Sequence, residues 1–179
     1  QDTGRRMMVL RPASVSDTAA LAKFARDAFD AAFGHLYKPE DLQAFFDEWR
    51  TEEVYRKAIE RPDVAVQLVE VGGAIAAYCM LVRGSTFDQH PDPRPVNPAF
   101  VSQLYCVPAT TGKGYGAALM DWAIAKAREW ESDALTLSVF SENFGAQRFY
   151  QRYGFVHIAD IDFWVGNHRD DEFLYELRL

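Results

Sequence analysis

Thr111-Gly112-Lys113-Gly114-Tyr115-Gly116 stands between an apolar run ending in Leu104-Tyr105-Cys106-Val107-Pro108 and an amphipathic run that starts near Ala117. Glycines at this spacing let successive backbone N–H groups converge on one anion, and a following helix adds its unpaired N-terminal donors and the positive end of its dipole. The chemistry is that of a phosphate cradle for a nucleotide-like ligand. A sharp strand-to-helix turn that holds no ligand uses the same residues, so the cluster alone leaves both readings open. Two well-known loops are excluded by spacing. A Walker-type loop needs Ser or Thr after the lysine and an earlier glycine, whereas Lys113 is followed by Gly114 and Val107 occupies the earlier position. Gly112-x-Gly114-x-x-Ala117 meets the loosest dinucleotide pattern, but residues 108–111 separate it from the preceding strand, where a Rossmann turn follows almost directly. Cys79 and Cys106, the only cysteines, both lie in apolar runs that read as strands. Cys106 as a nucleophile would need a base that the sequence does not identify; packing is the competing reading.

The elements that would position these groups follow from periodicity. Met8–Pro12 reads as a first strand; Ser16 or Asp17 caps a helix with apolar positions Leu21, Phe24, Ala25, Ala28, Phe29, Ala32 and Phe33. Pro39 opens a second helix with Leu42, Phe45, Phe46 and Trp49 on one side, and Thr51-Glu52-Glu53 starts a third that Arg61-Pro62-Asp63 ends. Val64–Val71 and Ala74–Arg83, joined by Gly72-Gly73, give the strongest hairpin signal. The stretch Gly84–Pro98 carries four prolines, and loops of this length commonly cover a site. A strand from about Ala99 to Val107 leads into the glycine cluster. After it come a helix with Leu119, Met120, Ala123, Ala127 and Trp130 inward, the strand Ala134–Val139, and a helix from Asn143 with Ala146, Phe149, Tyr150 and Tyr153 on one face. Gly154 and Phe155 suit a helix C-cap, and strands near Val156–Val165 and Phe173–Leu179 close a mixed sheet.

The chain of 179 residues, 49% hydrophobic, has the size of one domain, expected over 7–179, with Gln1–Arg6 a loose end or appended remnant. A formal charge of -7 argues against a general nucleic-acid binder and for cationic partners. From Asp27 to Glu60 nine Asp or Glu stand against four Lys or Arg; solvated helix faces would explain them equally. Two cysteines form neither a disulfide framework nor a CxxC metal pattern, so reduced thiols of a cytoplasmic protein are expected. The most apolar uncharged stretch, Val71–Val82, is too short to span a bilayer, and no membrane association is expected.

Leu104-Tyr105-Cys106-Val107-Pro108, then Thr111-x-x-Gly114-x-Gly116, then Asn143-x-x-Ala146-x-x-Phe149-Tyr150-x-x-x-Gly154-Phe155 resemble the GNAT superfamily of acyl-CoA-dependent N-acyltransferases. The element order matches over nearly all of Met8 to Leu179. The resemblance implies a single-domain α/β (α+β) fold: a mixed, mostly antiparallel sheet of about seven strands with splayed central strands, flanked by about four helices. It implies acetyl-CoA as donor and no metal. Thr111, Gly112, Lys113, Gly114, Tyr115 and Gly116 would take the pyrophosphate, mainly through backbone amides, although the family commonly has Gln or Arg at the place of Thr111. Tyr105 and Cys106 would lie along the acetyl-pantetheine, and Asn143 would hydrogen-bond its arm. Tyr150 would face the thioester sulfur, where a phenol of ordinary pKa about 10 can protonate the leaving thiolate. Read alone, an aromatic beside Phe149 and Tyr153 at helical spacing is core.

The remaining half of the reaction is attack by a neutral primary amine, so an alkylammonium of pKa about 10.4 must first lose a proton. Many relatives use a glutamate on the strand before the glycine loop or at the end of the next one; here those stretches hold Ser102-Gln103 and Ser138, and no base carries over. A water relay, Glu142, or an acid from the loop containing Asp88 and His90 remain open. Phe33-Gly34-His35-Leu36-Tyr37 with Pro39-Glu40-Asp41-Leu42, and the later Phe163-Trp164-Val165-Gly166, resemble the bacterial polyamine acetyltransferase subgroup more loosely; His35 and Tyr37 would then touch the acceptor. The missing base also leaves an acetyl-CoA sensor without efficient turnover as an alternative. Relatives often dimerise, so the resemblance admits a homodimer that the sequence itself does not specify.

Overall fold

Residues 7–107 and 112–179 are described by a computed structural model. Its strands are β1 (Met8–Pro12), β2 (Val64–Val71), β3 (Ala74–Arg83), β4 (Pro98–Cys106), β5 (Ala134–Phe140), β6 (Val156–Val165) and β7 (His168–Arg178). They form one sheet in the order β1-β2-β3-β4-β5-β7-β6, antiparallel at every pairing except the parallel β4–β5 pair. The helices are α1 (Thr18–Phe33), α2 (Pro39–Trp49), α3 (Glu52–Glu60), α4 (Tyr115–Glu129) and α5 (Phe144–Arg152).

Strand alternation sorts the side chains onto two faces. On one, Ala77, Cys79 and Leu81 of β3 and Tyr175 of β7 pack with Leu119, Met120 and Ala123 of α4, and Phe149 and Tyr150 of α5 lie against this core. On the other, Leu68, Tyr78 and Met80 pack with Leu21 and Ala25 of α1 and Tyr55 of α3. A smaller aromatic core, Phe29, Phe45 and Val165, joins α1 and α2 to β6.

Two boundaries and one cap differ from the sequence reading. Asp17 is the N-cap residue of α1 as read, but the helix is entered through a 3-10 turn at Val15–Asp17 and the Asp17 side chain makes no cap bond to it. Its carboxylate instead receives the Ser14 N–H (2.7 Å) and pairs with Arg11 (2.7 Å), which also binds Glu70 (2.6 Å). Second, α4 begins at Tyr115, two residues before Ala117. Third, β7 begins at His168 rather than near Phe173. Its charged start defeats a hydropathy reading, yet Arg169 on β7 pairs with Asp162 on β6 (2.7 Å) and the ladder runs from Val165↔His168 onward.

The loop 84–97 does not cover the large cavity described below, because none of its residues lines that space. It is pinned elsewhere: His90 bridges the Pro91 carbonyl (2.7 Å) and the Glu176 carboxylate (2.8 Å), and Arg178 donates to the Pro93 carbonyl (3.2 Å). The β6–β7 turn, by contrast, closes onto the start of α2. Asp41 accepts from the Asn167 N–H (3.0 Å), and Gly166, at φ +56°, sits so close that a Cβ there would stand 2.6 Å from the Asp41 Cα. Gly166→Ala combines an unfavourable φ with a backbone collision, so we expect about 1–3 kcal/mol lost in denaturant unfolding. A neutral effect would show that the turn does not bear on α2.

Candidate active site

β4 and β5 pair only at Pro98↔Ala134, Ala99↔Leu135 and Phe100↔Thr136. Beyond that point β4 runs on to Cys106 and β5 to Phe140 without bonding to one another. The register between β3 and β4 slips where Met80↔Gln103 gives way to Leu81↔Val101, leaving Ser102 as an extra residue in β4. Such a bulge bends its strand, and this one lies where the two strands part. The outward edge of β4 therefore keeps backbone groups that no strand satisfies, and a cavity of about 700 Å³ opens there.

The α4/α5 face supplies one wall. Gly112 and Gly114 both adopt positive φ, and Gly114 is the N-cap of α4. A helix start leaves its first amides without intrahelical carbonyls, the donor set from which an anion cradle is built. The Tyr115 side chain is buried in the core, so only its backbone serves such a cradle. A Cβ on Gly116 would touch Phe149 (3.7 Å) and the Cys106 sulfur (3.8 Å), which explains a small residue there. Lys113 is exposed, and Thr111 lies outside the described residues. Asn143 caps α5 by accepting the Ala146 N–H (3.2 Å), leaving its amide NH2 for the cavity that it lines.

Tyr150 lines the same cavity from α5, its ring edged by Phe149, Phe155 and Tyr175. The helix ends as expected: Phe155 donates to the Tyr150 carbonyl (3.2 Å) and Gly154 to the Gln151 carbonyl (3.0 Å), the paired bonds of a Schellman cap. Burial, reinforced by nearby Cys79 and Tyr105, pushes the Tyr150 phenol well above its ordinary pKa, so it holds its proton. Cys106 also lines the cavity, but burial raises its thiol, which opposes a nucleophilic thiolate.

The α1/α2 face supplies the other wall, and two of its charged residues were not singled out from sequence. Glu172, 9% exposed, lines the cavity from β7, and its Oε2 has no hydrogen-bond partner. Burial first, then the charge of Asp170, lifts its pKa to about 8. Arg50, 5% exposed, closes α2 with its guanidinium 4.8 Å from the centre of the Phe45 ring. Burial opposes its charge, but the phenols of Tyr105, Tyr55 and Tyr78 outweigh that and hold its pKa above the ordinary value. Tyr105 stands in this wall too, stacked on Tyr78 at 5.9 Å.

Of the two acceptor candidates, Tyr37 lines the cavity and donates to the Asp170 carboxylate, which also meets His168 (3.1 Å). His35 is exposed and does not line it. The three base candidates fare similarly: Glu142 is exposed, and neither it, Asp88 nor His90 lines the cavity. One sequence signal pointed to the missed acids. Asp170 and Glu172, two apart and followed by an alternating strand, fall on one face, the face opposite Phe173 and Tyr175.

The parting of β4 and β5 opens one cavity that α5 and the buried Glu172 of β7 both line. The profile of the Acetyltransferase (GNAT) family matches residues 22–155. The chain belongs to that family and is an acetyl-CoA-dependent N-acetyltransferase. It is 30% identical over 160 residues to an uncharacterized N-acetyltransferase of Mycobacterium tuberculosis, covering 89% of this chain and 96% of the relative. One from Lactobacillus delbrueckii is 26% identical over 166 residues, 93% and 94% of the two chains. Among solved structures, the PaiA N-acetyltransferase of Thermoplasma acidophilum in complex with coenzyme A superposes with a TM-score of 0.78 at 19% identity, covering 97% of this chain and 99% of that one. Arabidopsis thaliana NAA60 in complex with acetyl-CoA gives 0.72 at 14%, covering 97% and 99%.

Glu172 also carries a stability signature. Its folded-state pKa of about 8 exceeds the ordinary 4.5, so the folded protein binds the extra proton between these values. The contribution is intact below pH 4.5 and is lost as pH rises through 8. Glu172→Gln should thus gain stability over the parent progressively from pH 5 to 9, by on the order of a few kcal/mol at the top. A pH-independent difference in denaturant unfolding would contradict the raised pKa.

Proposed function

We propose that the chain acetylates a primary amine of a small molecule by direct attack on acetyl-CoA seated in the β4–β5 splay. The observation that carries this is the placement of Tyr150 and Glu172 on opposite faces of the sheet, both lining the one cavity. Backbone amides from Gly112 to Ala117 would bind the pyrophosphate, while Asn143 and the free edge of β4 at Tyr105 and Cys106 would hold the pantetheine arm. Glu172 takes the ammonium proton and the freed amine attacks the thioester carbonyl. On collapse of the tetrahedral intermediate the carbon–sulfur bond breaks, Tyr150 gives its proton to the thiolate, and the second proton leaving the amide nitrogen returns to the phenolate.

A carboxylate whose pKa is raised to about 8 is better matched to an ammonium than an exposed one, since proton transfer is most efficient when the two pKa values approach. Glu172 thereby fills the gap that favoured a sensor without turnover. The polyamine subgroup remains the acceptor reading drawn from sequence. It is supported by Glu48 and Asp162 at the cavity as well as Glu172, although only Glu48 of the nine acids between Asp27 and Glu60 lines that space. Tyr37 is the acceptor-side residue of that reading that reaches the cavity.

Spermidine and a broad panel of amines, assayed by release of free CoA, test the acceptor; no turnover with any small amine would sink the proposal. Tyr150→Phe should keep affinity for CoA but lose on the order of a hundredfold or more in kcat. In the parent, kcat/KM should rise with pH through about 8 as Glu172 ionises, and Glu172→Gln should lose that limb along with most activity. An unchanged profile in the variant would remove Glu172 from the role.

A further inference from the structure

The acceptor wall is not uniformly acidic. Arg50 and Glu172 line the same cavity and are both more than nine-tenths buried, yet neither pairs with the other nor forms an ion pair with another described residue. The Arg50 Nη1 donates to the Trp49 carbonyl (3.1 Å), its Nε has no partner, and its other hydrogen-bond partner is the Tyr105 hydroxyl, so no described carboxylate meets the guanidinium. At Glu172, Oε2 is sealed without a partner. Tyr105 lies within electrostatic reach of both.

Uncompensated buried charge is costly, and proteins normally pair it. The other charged groups around the cavity do not meet that need. Asp170 is engaged by Tyr37 and His168, Asp162 is exposed and paired with Arg169, and Glu48 is exposed. A ligand of purely positive charge would satisfy Glu172 while placing further cations beside Arg50 in a poorly solvated space, where like charges repel strongly. A ligand with one ammonium and one carboxylate satisfies both poles. Its apolar body would meet the rings of Phe29, Phe45 and Tyr105 that lie around them.

We propose that the acceptor is an amine that also bears a carboxylate, with Arg50 reading the carboxylate while Glu172 receives the ammonium. This rests on the small-amine reading above and narrows its substrate class. A guanidinium seated over an aromatic ring with no carboxylate of its own is suited to a charge-assisted hydrogen bond from a ligand carboxylate.

The test uses matched pairs on the intact protein: amino acids whose amine–carboxylate spacing runs from alanine to 6-aminohexanoate, each against the amine lacking the carboxylate, plus L-lysine against cadaverine. At one spacing the carboxylated member should win by about ten- to a hundredfold in kcat/KM, mostly through KM, as expected for a charge-assisted hydrogen bond. In Arg50→Met that ratio should collapse towards one, and Arg50→Lys should restore part of it. Thermal unfolding of each variant separates a lost preference from a lost fold, and the parent enzyme's own preference needs no variant. If cadaverine, spermidine and the simple amines match or exceed their carboxylated partners at every spacing, Arg50 is a structural cation and the inference falls while small-amine acetylation stands. If no member of either series is acetylated, both fall.

Discussion

The site depends on one interruption: β4 and β5 stop pairing after Phe100 and Thr136. Every other neighbouring pair in the sheet is antiparallel and extends over five or more residues, so the sheet is rigid on both sides of the gap. The parallel strands are held together only at their starts, and the bulge at Ser102 turns β4 where the contact ends. A sheet normally separates its two faces. Here the gap joins them, so residues of α5 and residues of α1, α2 and β7 line one cavity.

Chemistry divides along the same line. The α4/α5 side offers backbone dipoles and small residues, which suit a large anionic donor without committing a charged side chain. The opposite side places charges, and it buries them. Asp170 receives the Tyr37 phenol and His168, whereas two positions along the strand Glu172 has no such donor. Identical chemistry at Asp170 and Glu172 thus yields different behaviour because only one of them is solvated by protein. Arg50 is held by aromatic faces and phenols rather than by a carboxylate, which leaves its charge available to a ligand.

Much of this was legible beforehand where the signal is local. The Gly72-Gly73 hairpin, the Thr51 cap of α3, the α5 stripe with its Gly154-Phe155 ending and the glycine turn into α4 all lie where their short-range chemistry places them. The errors share a cause. His168–Glu172 looked like loop because its residues are charged, and it is strand because β6 pairs along the whole stretch, with β5 joining at Glu172, and Arg169 is placed against Asp162. The proline-rich segment looked like a lid, and His90 and Arg178 pin it elsewhere.

What the sequence by itself determined is the family and its contiguous motifs, in which glycine spacing, a helix start and an aromatic stripe are set by backbone geometry within a few residues. Only the tertiary structure decided which residues meet across the gap. Arg50, Tyr105 and Glu172 come from α2's end, β4 and β7, and are brought together by sheet order rather than by sequence proximity. An arginine without a carboxylate and a carboxyl pushed up to about 8 exist only once burial has removed water, a property of the packed molecule that no residue type carries alone.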